Sequence, residues 1–195
     1  FWLFILLICF SAVSLTLYHK FSPSKIETKV SQITQKIEEV KETIAPVPTK
    51  ILPSGLPDKH LIETVFVPQS PEKNWDQPWQ DACEEASLLT VDYYYKNISS
   101  ADPQTIKNDL LKMFDFETQQ SFTHDMNLSQ MSLVGEQFLG YSTKIINNPT
   151  VDDLKKYLAE NIPIIAPANG KTLYQENKHF KDGGPYYHNL VILGY

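Results

Sequence analysis

Four prolines within a dozen residues, Pro46, Pro48, Pro53 and Pro57, divide this chain. Each proline fixes φ and removes a backbone donor, so neither helix nor sheet can run through such a stretch. It forms a stiff, extended linker instead. Whatever packs into a core must therefore lie on one side of it. Residues 61–195 are long enough to bury a core of their own. Residues 1–60 divide into two simpler pieces. Phe1 to Tyr18 carries no charge and ends at His19 and Lys20. A run of that length sits at the lower edge of a membrane span. The expectation is an uncleaved anchor in residues 1–20, with a cleaved signal peptide as the competing reading. Ile26, Val30, Ile33, Ile37, Val40 and Ile44 then recur at steps of four and three. They place one apolar stripe on a helical stalk. Residues 21–60 are thus read as stalk plus linker. The domain is expected to be membrane-anchored and extracytoplasmic, or secreted if the first segment is cleaved.

Charge excludes one large class of function. Residues 61–195 hold ten Lys against eighteen acids, and the chain has no Arg. An acidic surface without guanidinium forks offers no footprint for nucleic acid. Cysteine use excludes another. Cys9 lies in the apolar run and Cys83 in the polar domain, so they are not expected to pair, and one domain thiol with few His makes no structural zinc site. No metal and no cofactor is expected.

The domain reads as α+β, with helices early and strands late. Leu61 to Pro68 is extended, and Asn74 to Asp81 is a polar, aromatic loop. Cys83 to Lys96 is a helix with Asp81 as its N-cap. Asp102 and Pro103 open a helix to about Phe114. A further helix runs from Leu128 to Phe138 and stops at Gly140. Ser142 to Ile146 is expected as a strand. Thr150 and Asp153 box the start of a helix to Glu160. Ile162 to Ala166 and His188 to Gly194 are the remaining strands. Tyr93, Tyr94 and Tyr95 are read as a helix face packing on the sheet.

Chemistry concentrates at two places. Cys83 lies in a first helical turn, where unpaired amides and the helix dipole favour an anion. A thiolate is such an anion, so the expectation is a lowered pKa and a nucleophilic cysteine. A small buried core residue is the plain alternative. His188 opens an apolar strand, where a ring can be held rigidly and still face a cleft as a general base. His19, His60, His124 and His179 are weaker candidates, and a hydrogen-bonded structural histidine is the alternative for His188 itself. Asn169, inside an Ala-Asn-Gly turn, is read as scaffold.

Several segments taken together resemble a known family. Val67-Pro68-Gln69-Ser70-Pro71, Asn74-Trp75-Asp76 and Cys83-Glu84-Glu85-Ala86-Ser87 are similar to the nucleophile region of the peptidase family 39-like proteins. Those are bacterial relatives of the double-glycine leader peptidases, within the papain-like superfamily. Pro167-Ala168-Asn169-Gly170 and the run from Gly184 to Tyr195 resemble later segments of the same group. The resemblance implies a papain-like cysteine peptidase fold, in which a helix carrying the cysteine packs on an antiparallel sheet carrying the histidine. It makes Cys83 the nucleophile, His188 the base and a peptide or protein the substrate. It also implies an Asp or Asn that orients the histidine, on a strand beyond Tyr195, so the domain is expected to be C-terminally incomplete. The family's oxyanion donor is a Gln upstream of the cysteine. Gln69 ranks first, with Gln77 and Gln80 as alternatives. Two other readings stay open: an inactive binding module on the same fold, and an acyl transferase using the same Cys-His pair.

Overall fold

The computed structural model describes residues 31–32, 34–36, 55–123, 125–176, 180 and 182–195. The anchor expected in residues 1–20, most of the stalk and linker, His124 and His179 lie outside the described residues. The chain divides into two units, Phe1–Thr49 and Lys50–Tyr195. In the first, residues 31–32 and 34–36 are helical. Among the described residues no helix is long and apolar enough to cross a membrane.

The second unit is built around one buried helix, α1 (Cys83–Tyr95). Ten of its thirteen residues are buried, so it is covered on all sides rather than along a stripe. Helix α2 (Pro103–Gln119) packs along it. Asp102 caps α2 as expected, its carboxylate accepting from the N–H groups of Gln104 and Thr105. Ile106, Leu110, Met113 and Glu117 recur at steps of four, three and four and form its buried face. Because that face continues past Phe114, the helix does too, ending five residues later than the sequence suggests.

Asn127 opens α3 (Leu128–Leu133) with a capping box closed by Gln130. The chain then widens into a π turn, Val134–Phe138, and leaves at Gly140. Thr150 and Asp153 form the expected box for α4 (Val151–Ala159). Strand β1 (Ile164–Ala168) pairs antiparallel with β2 (His188–Ile192), with Ala168 opposite His188 and Ile164 opposite Ile192. Between them lies α5 (Gly170–Glu176), which the sequence reading takes for a loop. The extended approach to the domain joins the far end of β2. His60 and Tyr195 exchange two backbone hydrogen bonds, and Ile62 N–H donates to Leu193 O at 2.7 Å.

The fold is α+β with a two-stranded antiparallel sheet among the described residues. Three expectations are corrected. Residues 142–146 are not a strand: four of the five are exposed, and side chains rather than a backbone ladder hold them. Thr143 Oγ1 donates to Glu136 and Lys144 Nζ to the hydroxyl of Tyr157. The three tyrosines do not share a face, because successive helical side chains diverge by about 100°. Tyr93 is buried with its hydroxyl on Asp109, Tyr94 reaches Asn161 O, and Tyr95 rests against Tyr141. The cap of α1 is Ala82 rather than Asp81, which ends a 3₁₀ turn, Trp79–Asp81, and makes no cap hydrogen bond.

Candidate active site

Cys83 is the first residue of α1 and a free, buried thiol. Its helix begins without a side-chain cap, and the first backbone bond of the helix is Ala86 N–H to Ala82 O. The amides of the opening residues therefore have no partner within the helix. Cys83 is presented by the turn before it. Trp79 is buried and meets Phe114 of α2 edge to face, with ring centroids 5.6 Å apart. Gln69 ties the same turn from the other side, its Nε2 donating to Trp79 O at 3.1 Å and to Gln80 O at 3.0 Å.

Strand β2 crosses the head of α1, and Asn189 N–H donates to Cys83 Sγ at 3.3 Å. The residue before Asn189 is His188, so the strand that opens with His188 meets the helix that opens with Cys83, 105 positions earlier in the chain. What holds β2 there is a close approach between two segments already singled out in the sequence. Lys171 N–H donates to Pro185 O at 3.1 Å. A Cβ on Gly170 would lie 2.5 Å from the Pro185 ring, and one on Gly184 would lie 2.3 Å from Gly170 O. Gly184 also has φ of +83°, so only glycine fits both demands. Asn169 is scaffold of a specific kind: its Oδ1 accepts Thr172 N–H and starts α5.

The local electrostatics differ from the sequence expectation. Cys83 Sγ–H donates to Glu84 Oε2 at 2.9 Å. Burial pushes the thiol pKa up, the Glu84 carboxylate raises it further, and Asn189 N–H works weakly the other way. A thiolate at neutral pH is thus not what this environment favours. Burial likewise lowers the pKa of His188, whose ring stands edge-on to Phe180 with centroids 5.2 Å apart. Both shifts favour the uncharged forms, a thiol on Cys83 and a neutral imidazole on His188.

The Gln candidates divide. Both hydrogens of the Gln69 amide are engaged on the turn. Gln77 Nε2 donates to Asp81 Oδ2 at 2.6 Å, and Gln80 is exposed. His60 stands apart from the cysteine, with Nε2 on Asn161 Oδ1 and its ring against Tyr195.

Sequence reasoning missed what lies beneath the thiol. Glu84, Glu85 and Glu117 are all buried in the core, as is Asn189. One carboxyl oxygen of each of Glu85 and Glu117, Oε2 and Oε1 respectively, is buried without a hydrogen-bond partner, and each acid lies close enough to bear on the other's titration. Burial raises the pKa of both, and that of Glu117 reaches about 7. The available signal was the pair Glu84-Glu85 in a helix too apolar to be a surface helix. Among the described residues no group of three or more His, Cys, Asp or Glu is arranged to hold a metal ion.

A family model described as the Peptidase_C39 like family matches residues 61–195. No curated protein and no solved structure matches the chain.

Proposed function

The chain belongs to the Peptidase_C39 like family, and from that premise we propose that it is a papain-like thiol hydrolase acting on peptide bonds, with Cys83 as nucleophile and His188 as general base. The observation that carries this reading is the 3.3 Å contact of Asn189 N–H with Cys83 Sγ, which sets the strand beginning at His188 against the head of the cysteine helix. His188 takes the thiol proton as Sγ bonds to the acyl carbon, so the raised thiol pKa is overcome at the moment of attack. The same proton then goes to the leaving amine, and water releases the acyl group. The Cys83 backbone N–H, free of helix bonds, is one donor to the oxyanion. Gln69 stands against the turn before it and serves as second donor by releasing one of its two carbonyls. An Asp or Asn on a following strand would orient the imidazole. The domain is carried outside the membrane on the uncharged segment Phe1 to Tyr18.

The test is hydrolysis of a peptide library by the full chain. Cys83→Ala is expected to abolish turnover, and His188→Ala to lower kcat by roughly 10²–10⁴-fold. Turnover that survives Cys83→Ala overturns the reading. The thiol held by Glu84 favours a second reading, a binding module that grips peptide without cleaving it. Peptides retained but never cut by the unmodified chain would establish that one.

A further inference from the structure

A ring of hydrogen bonds closes around the thiol. Cys83 Sγ–H donates to Glu84 Oε2, and Glu84 Oε1 accepts Met126 N–H at 3.2 Å. The carbonyl of Met126 accepts the hydroxyl of Tyr187 at 2.6 Å. Tyr187 precedes His188, and Asn189 N–H returns to Sγ. We propose that Glu84 and Tyr187 are positioning residues, which hold the Cys83 thiol and the His188 strand in register through the backbone of Met126. This rests on Cys83 and His188 being the catalytic pair.

Two features say that the ring is more than packing. An acid in a first helical turn ordinarily faces water and complements the dipole. Glu84 instead is fully buried, where a carboxyl is costly unless its oxygens are bonded. Both backbone groups of Met126 are also used, one toward α1 and one toward the segment entering β2. Met126 is buried, so water cannot replace either bond. The ionisable groups around Glu84 are Cys83 and Glu85 on α1, Glu117 on α2, Asp125 in the loop before α3, and Tyr187 ahead of β2. His188 is the nearest titratable group on β2 itself.

Three forms of the full chain test the ring: unmodified, Glu84→Gln and Tyr187→Phe. Iodoacetamide labelling is followed against pH on the peptide containing Cys83, so that Cys9 does not contribute. Glu84→Gln keeps the shape and removes the negative charge beside the sulfur. Its labelling midpoint is expected to fall by about one pH unit, about tenfold faster labelling at pH 7. Tyr187→Phe keeps the ring and frees Met126, and labelling is expected to quicken about threefold. In both variants kcat falls while KM holds, and melting temperatures control for simple loss of structure. Labelling that shifts in chains that never cleave peptide supports the ring and sinks the catalytic reading. Folded variants that label and turn over like the unmodified chain overturn the ring and leave that reading standing.

Discussion

Cys83 sits where two effects oppose each other. The helix terminus favours a thiolate by about 0.3–1 kcal/mol at an exposed site, and by about 2 kcal/mol in partly buried ones. Burial of an ionisable group away from water shifts its pKa by as much as about 3–5 units, at about 1.4 kcal/mol each. Burial is the larger effect here, and Glu84 adds to it. Below pH 7, Cys83 is therefore expected to react with iodoacetamide more slowly than free cysteine, whose pKa is about 8.5. Labelling faster than free cysteine would show that the helix terminus wins. A second residue-scale prediction concerns Glu117. Its folded pKa of about 7 lies above the unfolded value of about 4.3. Between those values the folded chain binds more protons than the unfolded one, so stability falls as pH rises. The stabilisation is fully present below about pH 4.3 and is lost as pH passes about 7. Melting temperature should decline across that window. Glu117→Gln should flatten the decline and raise the melting temperature at pH 8, by about 2–4 °C for each kcal/mol recovered. An unchanged slope in the variant would show that Glu117 is not the group responsible.

Helix α2 supports the site at a distance, since its buried face backs α1 along its length. Leu110 is completely buried in that face. Leu110→Ala should cost about 2–5 kcal/mol in chemical denaturation, because the removed side chain leaves a cavity the core cannot close. A loss below about 1 kcal/mol would mean that α2 adjusts freely against α1. The approach to β2 depends on a different kind of fit. Gly184 combines a left-handed backbone with contact on Gly170 O. Gly184→Ala should destabilise by about 1–3 kcal/mol from backbone strain alone. It should also lower peptide turnover beyond what the lost stability explains, because the strand carrying His188 starts four residues later. Turnover that tracks stability alone would detach Gly184 from the site.

At the scale of the whole molecule, the full chain is expected in the membrane fraction and a chain lacking residues 1–20 in the soluble one. A soluble full-length product with a new N-terminus near residue 20 would show a cleaved signal instead. The α+β class, the caps at Asp102 and Thr150, and the strand at His188 were legible in sequence because each depends on neighbours within a turn or two. So was the family, through the motifs around Cys83 and His188 rather than through any spacing. Segment 142–146 was misread because Thr143, Ile145 and Ile146 are β-branched and suit a strand, and a strand also needs a partner that local sequence does not contain. Helix α5 was missed because Asn-Gly marks a turn and a cap equally well. The protonation of the thiol was not legible at all. By itself the sequence determined which residues begin α2, α4 and β2, since capping and periodicity act over a few positions. Only the tertiary structure decided that Glu84 turns inward onto Cys83 Sγ and that Met126 and Tyr187 close the ring. Burial and desolvation are set by everything packed around a group, including residues far away along the chain.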